Sequence, residues 1–181
     1  MARLGKDDWL AEGFKVLAEF AQNKLRILYL CERLTVTRGS FYHHFSSIDD
    51  YIEQLMLSWE QSNTRQVIRL ANKSGDAKER FNRLNELVSN IDQSVETAIR
   101  SWSHYHPIVQ SYLQKVDKVR LHYLEDLFLN QGFPAEEAAN LATLEYGILI
   151  GIQQLNPHIK ASNMDSLYGT YRKYFALPEK P

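Results

Sequence analysis

Apolar residues recur along this chain at helical spacing almost from end to end, with no run that alternates in the manner of a strand. Ile27, Leu30, Cys31 and Leu34 fall at i, i+3, i+4 and i+7, one stripe of an amphipathic helix, with Asn23 placed to cap its start. Thr37 can cap a short helix that follows. At roughly 100° of rotation per residue, Phe41 and Phe45 share one side of that helix. Gly39, Ser40 and His43 share the other, and Tyr42 and His44 lie on the flanks. Ile48, Ile52, Leu55, Met56 and Trp59 carry a stripe along a helix predicted from Ser47 to about Ala71, stopped by Ser74-Gly75-Asp76.

Helices with the same punctuation fill the remainder. One bears Phe81, Leu84, Leu87 and Val88, and another runs from about Gln93 to Tyr105. A long one is bracketed by Pro107 and Gly132, the expected asymmetry of proline inside a start and glycine past an end. Pro134 opens the next, Pro157 follows its end, and the last spans about Met164 to Phe175, before a tail with Pro178 and Pro181. The segment from Ala138 to Ile152 is apolar around most of its circumference. It belongs either at the centre of its own core or against a second copy of itself, with Gly147 and Gly151 allowing close approach. The predicted class is all-α: a three-helix N-terminal domain over residues 1–50 and a helical bundle over 51–181, with about nine helices altogether.

A helix with its phenylalanines buried and small polar groups at its outward N-terminal end suits the major groove of DNA. Donors on its flanks can reach the bordering phosphates. Gly39 adds to this, since glycine in a first helical turn costs about 1 kcal/mol relative to alanine, and its presence suggests that another backbone or a base pair comes close.

The run Val36-Thr37-Arg38-Gly39-Ser40-Phe41-Tyr42-His43-His44-Phe45 resembles the recognition helix of the tetracycline-repressor (TetR) family of bacterial transcription regulators. Trp9-Leu10 through Ala18 resembles that family's first helix, Leu30-Cys31-Glu32-Arg33-Leu34 its second, and Asp49-Asp50-Tyr51-Ile52 the start of its fourth. Two positions depart from the pattern. Thr35 stands where the family usually has a turn glycine, and Ile48 where many members carry a phosphate-contacting lysine. The resemblance implies DNA contacts from Lys24, Arg26, Thr37, Arg38, Gly39, Ser40, Tyr42, His43 and His44, with Asp49 and Asp50 favourable to the helix dipole but repulsive to DNA. It also implies a homodimer paired through its last two helices. The expected interface is Leu141, Leu144, Ile148, Gly151 and Ile152 on one and Leu167, Tyr171 and Phe175 on the other. A two-fold dimer implies a palindromic double-stranded DNA operator.

The formal net charge of −1 over 181 residues excludes a globally polycationic binder. Between Lys24 and His44, Lys24, Arg26, Arg33 and Arg38 oppose only Glu32, a local excess of three positive charges. The lone Cys31 lies on an apolar stripe and is expected to be a small buried hydrophobe without a disulfide. No signal peptide and no run of about 20 apolar residues is visible, so a cytoplasmic protein without membrane contact is expected.

Trp102, Pro107, Val116-Asp117, Arg120, Tyr123-Leu124 and Gly132 resemble the pattern of one subgroup of the family. Aromatic residues are frequent in this part, and pockets form between bundle helices. Trp59, Trp102, Tyr105, Tyr123 and Tyr146 are the candidate lining for a small-molecule effector, Trp102 and Tyr123 first among them. Neither His43-His44 nor His104 with His106 has a neighbouring cysteine or carboxylate pair to complete a metal set. No phosphate loop, serine elbow or carboxylate pair points to catalysis or to a cofactor. The expectation is a ligand-responsive homodimeric repressor, not an enzyme. The alternatives are a constitutive DNA-binding adaptor and a helical carrier or enzyme in which the N-terminal helices only pack.

Overall fold

Helix α1 (Lys6–Phe20) begins where the Asp8 carboxylate accepts the Gly5 amide at 2.8 Å, and it buries Trp9, Leu10, Val16 and Leu17 on one face. A 3-10 turn (Ala21–Lys24) leads to α2 (Ile27–Leu34), followed by α3 (Arg38–His44) and α4 (Ile48–Glu60). The expected cap at Asn23 is not made: Asn23 lies inside the 3-10 turn, and Arg26 occupies the N-cap of α2. Likewise Thr37 holds the N-cap place of α3, but its side chain makes no capping bond. Helix α4 is capped by side chains, Ser47 Oγ accepting the Asp50 amide at 3.0 Å and the Asp50 carboxylate accepting the Ser46 amide at 2.7 Å. A computed structural model describes residues 4–156 and 158–175, without the side chains of Arg172 and Phe175.

The turn between α2 and α3 is closed by Thr35 in the left-handed region, φ 56° and ψ 46°. Its amide donates to the Glu32 carbonyl at 3.1 Å, and the Val36 amide donates to that of Cys31 at 2.9 Å, the double bond of a Schellman ending. A β-branched residue is strained in this conformation, which favours glycine.

Helix α4 continues through a π turn (Gln61–Arg65) into α5 (Gln66–Ala71), so the single helix expected over this stretch carries a local widening in its middle. Then come α6 (Ala77–Ser89), α7 (Gln93–Ser103), α8 (Pro107–Asn130), α9 (Ala135–Leu155) and α10 (Ala161–Phe175). With α4 and α5 taken as one rod there are nine helices, and no strand occurs among the described residues. Pro107 is the first residue of α8, and Gly132, at φ 89°, turns the chain just beyond that helix.

One apolar core joins the N-terminal helices to the bundle. Phe41 and Phe45 meet Trp9 edge-on, with centroids 5.4 and 6.4 Å away, and the same cluster continues through Ile52, Leu55 and Trp59 to Ile99, Trp102 and Val109. Gly13 makes the α1–α4 crossing close: a Cβ there would collide with the Tyr51 hydroxyl, which donates to the Trp9 carbonyl at 2.9 Å. A second cluster, around Leu124, Phe128, Ala142 and Tyr146, holds α9 on α8.

Helix α9 covers only part of its apolar circumference. Leu141 packs partly on the second cluster, whereas Leu144 is 61% and Leu155 82% exposed. A Cβ added at Gly147 or Gly151 would meet nothing within 4 Å. Ile148 and Ile152 are half-buried. On α10, Leu167 is exposed and Tyr171 half-buried, while the Phe175 side chain and Pro157, Pro178 and Pro181 lie outside the described residues.

Candidate functional site

Two regions bring together the residues that can bind something else. The first is the outward side of α3. With Phe41 and Phe45 fully buried, Thr37, Arg38, Gly39, Tyr42 and His43 are exposed, and Ser40 and His44 are half-buried. A Cβ at Gly39 would meet only the Thr37 hydroxyl, at 3.7 Å, so nothing within the chain requires a glycine there.

The positive field around α3 is smaller than the count of charges implies. Arg33 is spent inside the chain, donating to Glu12 at 2.6 Å and to both oxygens of Glu19 at 2.7 and 3.0 Å. Lys24 is exposed but folds over the Phe20 ring at 4.3 Å. Arg26 and Arg38 remain exposed, and Lys6, which the sequence reading passed over, stands above the Phe45 ring at 5.4 Å. Its only sequence signal was a basic residue at the start of the first helix.

The second region is a cavity among α5 to α9, reached by the π turn and by Tyr168 of α10. Val67, Leu84, Val88, Leu124 and Leu149 make its walls apolar. Of the five candidate aromatics, Tyr123 and Tyr146 line it. Trp59 and Trp102 do not, because both are buried in the core that joins α4, α7 and α8. Tyr105 lies beyond the end of α7, is 82% exposed and takes no part in the wall.

Beside the cavity lies a buried charge cluster that sequence reading did not assemble. Arg120 donates to the two Glu96 oxygens at 2.8 and 3.2 Å, to Thr64 Oγ1 at 3.0 Å and to the Asn63 carbonyl at 3.3 Å. Arg100 forks onto Asp117 at 2.7 and 3.1 Å and also lies 3.0 Å from Glu96. The Tyr146 hydroxyl donates to Asp117 at 2.6 Å and accepts from both guanidinium groups. Burial alone would lower the pKa of each guanidinium, but the neighbouring carboxylates outweigh it and hold both above their ordinary value. Burial pushes the Tyr146 phenol up, so it stays protonated and able to donate. The spacing of Glu96 and Arg100, four apart on a helix with buried neighbours, was the available signal.

Because Asn63 and Thr64 belong to the π turn, Arg120 physically ties the cavity to the rod that starts among the N-terminal helices at Ile48. Among the described residues no three His, Cys, Asp or Glu side chains gather to hold a metal, and no helix is long and apolar enough to cross a membrane.

No family model matches the chain, and no curated protein matches it. Solved structures do. A candidate transcriptional regulator from Saccharomonospora viridis in complex with choline superposes with a TM-score of 0.78 at 18% identity, over 93% of this chain and 95% of that one. NemR of E. coli in its reduced form gives 0.73 at 14% identity, over 97% and 99%. A transcriptional regulator from Rhodococcus sp. Rha1 gives 0.68 at 17% identity, over 93% and 87%. At these identities the likeness establishes one thing, that from its first helix to its last this chain has the fold of those regulators.

Proposed function

We propose that this chain is a DNA-binding transcriptional regulator of the tetracycline-repressor type, a homodimer that leaves a palindromic operator when a small molecule enters the cavity. The observation that carries the reading is α3. Its two phenylalanines are sealed into the core, which fixes the opposite side, with Arg38, Gly39, Tyr42 and His43, toward the outside. The open space at Gly39 leaves room for a groove edge.

The exposed Leu144, Gly147, Gly151 and Leu155 on α9, with half-buried Ile148 among them and exposed Leu167 on α10, support pairing with a second copy. Apolar residues left uncovered along one helix face favour association. Pairing would double a modest set of phosphate contacts and set two α3 helices a whole number of DNA turns apart, roughly 34 Å or a multiple. That the Saccharomonospora viridis protein is in complex with choline supports small-molecule binding by a chain of this fold.

Release follows if the effector binds better to a conformer whose two α3 helices are wrongly spaced. The coupling equals that difference in affinity. The π turn and Arg120 are the linkage, since a ligand beside Asn63 and Thr64 acts on the rod that enters the N-terminal domain.

Fluorescence anisotropy with duplex DNA across a salt series tests the DNA reading. Binding should weaken steeply with salt, and Arg38→Ala should weaken it further and lower the salt slope by about 1 if Arg38 meets a phosphate. Absence of any salt-sensitive binding by the wild-type protein overturns the proposal.

A further inference from the structure

The cavity wall holds a hydrogen-bonding chain whose direction is fixed. Gln93 Nε2 donates to two backbone carbonyls, those of Val88 and Ile91, both at 2.8 Å. Only the nitrogen of an amide can serve two carbonyls, so Gln93 must turn its oxygen the other way. That oxygen accepts from Gln153 Nε2 at 2.7 Å. Gln153 is thereby oriented too, and the atom left over is its oxygen, Oε1, buried and without a hydrogen-bond partner. Gln153 is 98% buried by its 2% exposure, and it lines the cavity.

The charges nearby are matched. Arg120 is held by Glu96, and Arg100 by Asp117 and Glu96, so neither guanidinium offers an unspent positive charge to an anion.

We infer that the effector is a mostly apolar molecule, not an anion, carrying an N–H or O–H donor, which it presents to Gln153 Oε1. This rests on the reading of the cavity as the effector site and adds its chemistry. The apolar walls supply affinity by area, and the buried acceptor selects, because a molecule that fills the same space without a donor leaves Oε1 unsatisfied.

Isothermal titration of the full chain with indole, its isostere benzofuran and indole carboxylate tests this without DNA. Indole should bind about fivefold tighter than benzofuran, the worth of one net hydrogen bond, and the carboxylate should bind weakest. In Gln153→Met the preference for indole should vanish while benzofuran binding persists. If that variant does not fold, the wild-type ratio decides alone. Equal affinity for indole and benzofuran, or tightest binding of the carboxylate, overturns the inference and leaves the cavity standing as a ligand site. Failure of all three probes to bind overturns both, whereas loss of DNA binding in the anisotropy experiment would touch only the regulator reading.

Discussion

Removing the Arg120 guanidinium should cost far more than removing it together with the charge it neutralises. Arg120→Met leaves Glu96 buried with one positive partner instead of two, and leaves Thr64 Oγ1 and the Asn63 carbonyl without their donor. Breaking a buried pair from one side costs about 3–5 kcal/mol, and the remaining Arg100 contact at 3.0 Å places the expected loss near the lower end, about 3 kcal/mol. With a urea dependence of about 2 kcal/mol per molar, the unfolding midpoint falls by about 1.5 M. Adding Glu96→Gln removes the uncompensated charge, and the amide still accepts from Arg100, so the pair of changes should cost about 1 kcal/mol or less. Urea unfolding at one protein concentration measures both variants, and hydrogen exchange should quicken at the amides of residues 61–65 in each. A single variant that loses under about 1 kcal/mol, or a double variant as unstable as the single, would refute the claim that charge pairing organises this cluster.

Thr35→Gly should raise stability by about 0.5–1 kcal/mol, since relief of the left-handed strain exceeds the entropy cost of glycine, and thermal unfolding should move up by about 1–3 °C. Thr35→Ala, which keeps a Cβ, should gain less. Leu144→Glu places a charge in the exposed stripe of α9, and sedimentation should show a shift from dimer to monomer with the helical circular dichroism unchanged. Unchanged sedimentation would remove α9 from the interface. Acid should destabilise the fold through Glu12 and Glu60. Burial raises both pKa values, but bonds from Arg33 and Lys15 to the first and from Lys115 and Arg65 to the second outweigh it and leave both below 4.5. Their contribution is therefore complete above the unfolded value and is lost as pH falls through the folded ones. Glu60→Gln should flatten that part of the stability profile.

The N-terminal helices were legible because period, aromatic spacing and stops agree there. Phe41 and Phe45 share a side on a helix with Gly39, Ser40 and His43 opposite them, and Gly39 needed an outward reason. Capping was less legible. Asn23 and Thr37 are the right residue types in nearly the right places, yet the chain satisfies the start of α2 with a 3-10 turn and leaves the Thr37 hydroxyl out of the α3 cap. The cavity was hardest to foresee. Aromatic residues suggested its lining, but bulk sends Trp59 and Trp102 to the core, where large side chains bury most area, and the wall falls to medium aliphatics and tyrosines. The charged residues in and beside it, Glu96, Arg100, Asp117 and Arg120, have the composition of a solvated helix face. Only the crossing of α7 and α8 turns them inward. The π turn has no marker in its residues, Gln61 to Arg65, and becomes meaningful through Arg120, more than fifty positions away.

Tyr51, anchored to the Trp9 backbone across the gap left by Gly13, and the aromatic seam that continues to Ile99 and Val109 mean that the N-terminal helices have no finished interior of their own. Cut after residue 50, they would keep Trp9 but lose Tyr51, the other ring against which both Phe41 and Phe45 pack, and a fragment of that length is expected to be loose and prone to clump. The same continuity seats α3 and the crossing of α7 and α8 on a single shared interior, so that neither end can repack without the other.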